Sequence, residues 1–245
     1  VVAGGVALVP AETGLFAFDA GSGEPLWRHG GERDRPYGVA VADGVAYVTM
    51  RDEPTTLALA LDDGSEVWRA AADADFASAP LVAPSEDRVY AGDTTGRVVA
   101  RDATDGEPLW TFDAFTGVYA LAARRDALFV GTTGGETYEL LAARDRVVPL
   151  WRRKLPGTVR ALTADARSVF AATFDAGWFR LRPGARAGRT EWHAAGAPTV
   201  TESLVHAGST LVGAGPDGVA AHRPRGGGRL WSIDNGAGAP ASAPA

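Results

Sequence analysis

Short apolar runs of four to seven residues recur along the whole chain, and Gly, Asp, Ser, Thr or Pro separates each run from the next. Runs of this length with turn residues between them predict β-strands joined by tight turns. The clearest set of four covers residues 78–83, 88–93, 96–102 and 106–110. No stretch of useful length has the 3.6-residue period of an amphipathic helix. The chain is therefore predicted to be all-β.

Six of the seven tryptophans are evenly spaced, 39 to 42 residues apart. These six are Trp27, Trp68, Trp110, Trp151, Trp192 and Trp231. A fixed period of about 40 residues indicates one supersecondary unit repeated head to tail. Four-stranded units of this length, repeated four to eight times, favour a β-propeller, because the repeats of the alternative, a linear solenoid, are usually shorter or helical.

We predict a single propeller domain over residues 1–245. Its six repeats fall near 1–34, 35–75, 76–116, 117–157, 158–198 and 199–238. Residues 239–245 begin a further strand or form a closing tail. Both ends of the chain fall at the same phase of the repeat, which leaves two interpretations open. The chain is a piece of a ring with seven or eight blades, or it is a complete six-bladed ring.

The best local signature is Asp-x-x-x-Gly-x-x-x-Trp, which is intact twice in the chain. It comprises Asp19, Gly23 and Trp27 in the first repeat and Asp102, Gly106 and Trp110 in the third. The Asp is expected to accept backbone N–H bonds in the turn, and the Gly to supply a positive φ. The Trp is expected to cover apolar surface between neighbouring units, where its indole N–H finds an acceptor. Repeats four to six keep the Trp but lack part or all of the turn chemistry, and they are expected to have looser or longer outer hairpins.

The run from Leu15 through Asp19 to Trp27 resembles the repeat of the pyrroloquinoline-quinone-type (PQQ-like) β-propeller family. The resemblance covers the full chain at the level of the repeat. It implies four-stranded antiparallel blades, with the repeat Trp as the residue that docks one blade on the next. The family includes quinone-dependent dehydrogenases and many cofactor-free members. One of the latter is a periplasmic lipoprotein that assists outer-membrane protein assembly.

The dehydrogenase site of that family cannot be mapped onto this chain. The resemblance implies a vicinal-cysteine disulfide against the quinone, Glu and Asn ligands to Ca²⁺, and an Asp base. This chain has no cysteine, and its single asparagine, Asn235, lies in a glycine-rich tail. Its four histidines form no metal-ligand pair, and no Gly-x-Ser-x-Gly nucleophile motif occurs. We therefore predict no catalytic residues, no cofactor and no metal, and expect the chain not to be an enzyme.

The charge and hydropathy of the chain argue against nucleic acid as a partner and against a membrane-spanning helix. The chain has 24 Lys and Arg against 30 Asp and Glu, a net charge of −6, so a basic face for nucleic acid is not indicated. No stretch approaches the 18 apolar residues that a spanning helix needs. We predict extracytoplasmic residence, in the periplasm or at the cell surface. The leader or membrane tether that this requires would lie outside this chain.

Loops that follow the fourth strands are the predicted binding surface, by analogy with other propellers. They fall near residues 34–37, 71–78, 113–119, 155–159 and 193–200. The candidate contact residues are Tyr37, Phe76, Phe115, Tyr119 and Trp178, and packing between blades is the alternative for these aromatic side chains.

The predicted function is a non-enzymatic scaffold or ligand-recognition module for a protein or peptide partner. A relative or fragment of a quinone-dependent dehydrogenase and an extracytoplasmic sensor domain are the alternatives.

Overall fold

The computed structural model describes residues 1–31, 34–51, 53–83, 85, 87–174, 176–184, 188–198, 203–216 and 218–234. The predicted all-β class is confirmed, because these residues contain no helix and form six four-stranded antiparallel sheets. Each sheet consists of four consecutive strands in chain order. The predicted tail at 239–245 and Asn235 lie outside the described residues.

The contacts divide the chain into two compact units. Unit 1 comprises Val1–Val118 and Arg144–Arg146, and unit 2 comprises Tyr119–Ala143 and Val147–Ala245. Unit 1 contains sheets 1 to 3, and unit 2 contains sheets 4 to 6, apart from the first residue of sheet 4.

In unit 1, sheet 1 comprises β1 (Val2–Ala3), β2 (Val6–Ala11), β3 (Gly14–Asp19) and β4 (Pro25–His29). Sheet 2 comprises β5 (Pro36–Ala42), β6 (Val45–Met50), β7 (Thr55–Ala60) and β8 (Glu66–Ala71). Sheet 3 comprises β9 (Leu81–Val82), β10 (Arg88–Gly92), β11 (Arg97–Asp102) and β12 (Pro108–Asp113).

In unit 2, sheet 4 comprises β13 (Val118–Arg124), β14 (Ala127–Thr132), β15 (Glu136–Ala142) and β16 (Val147–Lys154). Sheet 5 comprises β17 (Val159–Ala164), β18 (Val169–Thr173), β19 (Gly177–Leu181) and β20 (Thr190–Ala194). Sheet 6 comprises β21 (Ser203–Ala207), β22 (Thr210–Gly215), β23 (Gly218–His222) and β24 (Arg229–Asp234).

The second and third strands of the sheets carry the core. Strands β10 and β18 are buried at every residue, so both of their faces are covered, and the fourth strands are mostly exposed. Leu59 and Val48 lie in a cluster between sheets 1 and 2, and Phe170 and Trp178 lie in a cluster between sheets 5 and 6. Burying a large apolar side chain stabilises the fold by about 1.5–3 kcal/mol, so these contacts hold neighbouring sheets together within each unit.

A β-bulge precedes the repeat tryptophan in every sheet. The ladder between the third and fourth strands shifts at Ala17/Phe18, Ala58/Leu59, Ala100/Arg101, Glu139/Leu140, Arg180/Leu181 and Ala221/His222. In each case the residue before the Trp is the extra one, and the Trp itself pairs with the first residue of the shift. Because a bulge turns the side chains that follow it, this irregularity sets the direction of each indole.

Two sequence expectations about local structure are wrong. The first strand of the third repeat was expected over residues 78–83 but β9 contains only Leu81–Val82, since Pro80 has no N–H to donate to the ladder. The outer hairpin of the fourth repeat is short, with only residues 143–146 between β15 and β16. Val147 and Val148 pair with Ala142 and Leu141 and extend the ladder to the turn. In the fifth repeat the hairpin is long, as predicted, and spans residues 182–189.

Candidate functional site

Three repeat tryptophans contact the next sheet in the same way. The Trp27 indole lies against the α-carbon of Gly64 and donates from Nε1 to the Leu61 carbonyl at 2.9 Å. The Trp68 indole lies against Gly106 and donates to the Ala103 carbonyl at 2.9 Å. The equivalent contacts of Trp192 are with Gly227 and, at 2.8 Å, with the Pro224 carbonyl. The glycine and the acceptor carbonyl both belong to the outer hairpin of the next repeat.

Trp151 makes the ring contact but uses a different acceptor. Its ring lies against Gly188, and its Nε1 donates to the side chain of Glu139, which faces it across the ladder in its own sheet. The same carboxylate oxygen accepts the backbone N–H of Gly184 at 2.6 Å, so Glu139 joins sheet 4 to sheet 5. Glu139 is 3% exposed. The sequence pattern did not identify it.

Trp110 packs on an aromatic ring of its own sheet, as Trp68, Trp151 and Trp192 also do, whereas Trp231 is exposed. The half-buried ring of Trp110 packs on Tyr90, with the ring centroids 5.5 Å apart. Trp231 was expected to cover apolar surface, but 40% of it is exposed. Ile233, two residues further along β24, is 54% exposed. Both side chains project from the outermost strand of sheet 6, where the described residues provide little cover.

The turn aspartates accept backbone N–H bonds. Asp19 accepts from the N–H of Ser22 at 2.7 Å and of Gly21 at 3.0 Å, and these bonds lower the pKa of its carboxyl. Asp102 accepts from the N–H of Thr104 at 2.8 Å, which, together with its pairing to Arg144, lowers its pKa. Gly23 and Gly106 have φ values of 78° and 76°, which L-residues rarely adopt.

In the second repeat, where Ala60 replaces the signature Asp, Asp63 accepts bonds from Ser65 instead. The backbone N–H of Ser65 lies 2.9 Å from Asp63 Oδ1, and the Ser65 side chain is the main cause of the lowered pKa of Asp63. The turn is therefore capped from a different position in the repeat.

Phe115 lies on a rigidly held loop of unit 1 and is 79% exposed. The loop follows β12 and is bound on both sides of Phe115, by the Ala114 N–H to the Gly96 carbonyl at 2.7 Å and by the Val118 N–H to the Asp93 carbonyl at 2.9 Å. Phe115 has a φ of 65°, an unusual and strained value for a bulky residue. The backbone thus holds a large apolar side chain in solvent.

Ionic and polar groups surround the Phe115 loop. Asp93 Oδ1 accepts the backbone N–H groups of Thr95, Gly96 and Arg97 at 2.9 Å each and fixes the turn beneath the loop. Arg97 in turn pairs with Asp73 at 2.6 Å, on the loop that follows β8. The turn at residues 93–97 is therefore bonded both to the loop that follows β8 and to the loop that carries Phe115.

The structure contradicts two of the candidate contact residues. Phe76 is 5% exposed and forms an isolated bridge with Asp93, so it supports the loop from below. Trp178 is fully buried, donates to the Pro198 carbonyl at 2.9 Å, and packs on His222 with ring centroids 4.7 Å apart. Every residue of β19 except Arg180 is buried, so both faces of this strand are covered and the alternation of side chains exposes neither Trp178 nor Phe179.

Tyr37 and Tyr119 are half-buried, and each contacts an arginine. The guanidinium carbon of Arg51 lies 4.5 Å from the centre of the Tyr37 ring in unit 1. In unit 2, the guanidinium carbon of Arg160 lies 4.9 Å from the Tyr119 ring and 5.8 Å from the Phe174 ring. Sequence reasoning missed Arg160. Its position was a usable signal, because Arg160 follows Trp151 by the same nine residues that separate Tyr119 from Trp110.

The described residues contain no group of three or more His, Asp or Glu side chains placed to hold a metal ion. Nor do they contain a helix of the length and hydropathy needed to cross a membrane. The candidate site in the described residues therefore consists of aromatic and ionic side chains on loops held by rigid sheets.

Comparison with known proteins identifies the family. The family model described as outer membrane protein assembly factor BamB matches residues 11–117 and 95–242, which is most of the chain. The chain belongs to this PQQ-like β-propeller family. The predicted fold is thereby confirmed, and the six sheets are its blades. Among curated proteins, no sequence matches this chain.

Solved structures share the fold at low sequence identity. The crystal structure of BamB from Moraxella catarrhalis superposes with a TM-score of 0.68 and 18% identity, covering 94% of this chain and 75% of that one. The computationally designed Ika8 protein superposes with a TM-score of 0.64 and 14% identity, covering 96% of this chain and 85% of that one. At these identities the likeness is one of fold.

Proposed function

We propose that this chain is a non-enzymatic scaffold that binds a protein partner through the loops that follow the fourth strands of its blades. The observation that carries the proposal is Phe115, which is 79% exposed on a backbone with a φ of 65°. Backbone strain of about 1–3 kcal/mol persists where the surrounding structure enforces it, and such strain clusters at functional sites.

The surroundings of Phe115 have the composition of a protein-binding surface. Aromatic anchors surrounded by polar groups carry much of the binding energy of protein interfaces. Here the loop of the anchor is bonded to Gly96, which precedes Arg97, and the Asp73 side chain of the Arg97–Asp73 ion pair is 85% exposed. The loop is held by main-chain hydrogen bonds, so little conformational freedom is lost when a partner binds.

Two further features support this proposal. The family description names an assembly factor, and a propeller that holds loops on rigid sheets suits such a role. The cysteine pair of the family's dehydrogenases has no counterpart in a chain without cysteine. Extracytoplasmic residence, with a possible tether outside this chain, belongs to the same proposal and is supported by the family description alone.

Site-specific photo-crosslinking tests the proposal. A photoreactive phenylalanine analogue is placed at Phe115 in one variant and at Asp105 in a control variant, and each is expressed in the native host. Asp105 is exposed on the turn between β11 and β12, at the opposite end of sheet 3. We expect a discrete protein adduct from position 115 and none from position 105.

Purification of the adduct identifies the partner, and Phe115→Ala in the unlabelled chain is expected to reduce its co-purification at least about tenfold, as for an interface anchor. Equal adduct yields at the two positions, or undiminished co-purification of the partner with the Phe115→Ala chain, would refute the proposal.

A further inference from the structure

A second feature lies in unit 2, on β17. Arg160 is the second residue of β17, and the ladder to β18 shifts between Val159 and Ala161, so that Arg160 is the extra residue of a β-bulge. Bulges next to functional sites commonly serve to re-aim one side chain. This bulge directs the guanidinium against the Tyr119 and Phe174 rings.

The guanidinium of Arg160 has rings for neighbours and no acceptor. Its Nε is buried and has no hydrogen-bond partner. In the described part of the chain, the Arg160 side chain has no ion pair and no hydrogen bond. The Nε of Arg124 is also buried without a partner, but a terminal nitrogen of Arg124 donates to the Ala166 carbonyl, and Arg180 pairs with Glu191 at 3.0 Å. A charged donor without an acceptor is destabilising when water is excluded, so this group is poised to receive an anionic ligand.

Sheet 2 has a β-bulge at the position that corresponds to Arg160, so the two sheets can be compared. There the bulged residue is Tyr37, and Arg51, which follows the second strand, lies over it. In sheet 5 the roles are exchanged, with Arg160 on the bulge and Phe174 after the second strand. Arg51 is exposed to solvent, whereas Arg160 is half-buried between two rings. Sheets 2 and 5 therefore both have a bulge with an arginine–aromatic contact. Of the two arginines, Arg160 is the one that is partly shielded from solvent.

We propose that Arg160, Tyr119 and Phe174 form a binding site for a carboxylate on an apolar stem. The terminal nitrogens of Arg160, which are not among the buried atoms, form the planar fork that matches the two oxygens of a carboxylate. The rings shield the charge from water, which strengthens its attraction for an anion. Phe174 is 41% exposed and offers an apolar surface to the stem of the ligand.

Two sources supply this chemistry, a small organic acid or the C-terminus of a protein chain. Benzoate represents the first and N-acetylphenylalanine the second. Benzamide and N-acetylphenylalaninamide are the neutral controls of the same shape, and inorganic phosphate is the competing anion. The site does not depend on the function proposed above. Tyr119 is the last residue of the predicted loop at 113–119, but the titration follows Arg160 in unit 2 and the crosslinking variant is at Phe115 in unit 1, so each proposal can fail alone.

Nuclear magnetic resonance of the full ¹⁵N-labelled chain at constant ionic strength tests this site. Each probe is titrated while the Arg160 Nε–H resonance and the backbone amides of Tyr119 and Ala161 are followed. We expect saturable shifts with benzoate, and none with benzamide. Shifts with N-acetylphenylalanine as well would identify a chain terminus as a ligand, and their absence would restrict the site to small acids.

Arg160→Lys keeps the charge but loses the fork, and we expect the amide shifts to require about tenfold more benzoate. Arg51→Lys is the matched control and should leave the benzoate titration unchanged. The proposal is overturned if the wild-type chain shows no saturable benzoate shift, if benzamide shifts the same resonances equally, or if phosphate binds more tightly than either carboxylate. These three outcomes concern the wild-type chain alone, so they hold even if a variant fails to fold.

Discussion

Glycine α-carbons touch tryptophan rings at Gly64, Gly106, Gly188 and Gly227. A Cβ added at these positions would lie 2.6–2.8 Å from a ring carbon of Trp27, Trp68, Trp151 and Trp192, respectively. No real Cβ approaches another atom so closely, so any larger residue must push the indole away. The spacing of the signature could be predicted from the sequence, and the positive φ of its Gly was expected. That the same Gly receives the preceding indole was not expected, because the contact joins two repeats.

Gly106→Ala and Gly23→Ala separate these two roles. Both glycines have nearly the same φ, 76° and 78°, but no atom lies within 4 Å of the position that a Cβ would take at Gly23. We expect Gly23→Ala to lower the free energy of unfolding by about 1–2 kcal/mol, the strain of a left-handed L-residue. Gly106→Ala should lower it by about 2–5 kcal/mol, because displacement of Trp68 adds to the strain.

Urea unfolding followed by tryptophan fluorescence measures both variants. Equal losses at the two positions would show that the indole contact contributes nothing.

Phe115→Gly tests whether the exposed phenylalanine is strained. The side chain is 79% exposed, so its removal gives up little buried area, and glycine adopts a φ of 65° without strain. We expect the free energy of unfolding to stay the same or to rise by up to about 1 kcal/mol, as the relief of strain offsets the greater entropy of the unfolded chain. A loss above about 2 kcal/mol in urea unfolding would mean that Phe115 stabilises the fold, which would weaken its assignment as a contact residue.

At the scale of the strand, the bulge before each Trp fixes what faces the indole across the ladder. The facing residue is Ala in sheets 1, 2, 3 and 6, whereas it is Glu139 in sheet 4 and Arg180 in sheet 5. Glu139 reaches the indole N–H from within its own sheet. The strands themselves could be predicted from their apolar runs and turn residues. The role of Glu139 could not, because nothing in a strand of buried residues indicates where its carboxylate points.

Glu139→Ala is expected to destabilise the protein by about 2–4 kcal/mol. It leaves the buried Trp151 indole and the part-buried Gly184 backbone N–H without an acceptor, and a buried donor without one costs about 1–3 kcal/mol. Glu139→Gln keeps one oxygen at this place and should lose less than half as much. Chemical denaturation of the two variants distinguishes the outcomes. Equal stability of the Ala variant and the wild type would mean that Glu139 does not join sheets 4 and 5.

At the scale of the whole molecule, turn aspartates link stability to pH. The pKa values of Asp19, Asp63 and Asp102 are lowered in the folded protein, chiefly by hydrogen bonds from Ser22, Ser65 and Thr104. The unfolded chain therefore binds more protons than the folded one when the pH falls below about 5. The stabilisation is fully present above the ordinary carboxyl pKa and is lost as the pH falls through the lowered values.

We expect the urea midpoint to be constant from pH 7 to about pH 5 and to fall steadily below it. Asp102→Asn should lower the midpoint at pH 7 and make its decline in acid shallower, because one of the titrating groups is gone. A variant whose midpoint declines as steeply as that of the wild type would show that the hydrogen bonds to Asp102 do not stabilise the fold.

The fold was predictable from the sequence because its period is long and its turn chemistry recurs. The candidate surface was predictable only in part. Phe115 is exposed, but Phe76 and Trp178 are buried, since aromatic residues near the ends of strands serve equally as core and as contact residues. Arg160 escaped notice because its importance depends on a bulge and on two rings from other strands. Long-range contacts of this kind leave no local pattern.

Hydrogen exchange of the indole N–H groups tests most directly the claim that the repeat tryptophans hold the blades together. In a ¹⁵N-tryptophan-labelled chain, with each resonance assigned by a Trp→Phe variant, Trp27, Trp68, Trp151 and Trp192 should exchange slowly, because each N–H is bonded to the protein. Trp231, which is 40% exposed, should exchange rapidly. Rapid exchange at all five positions would contradict the account.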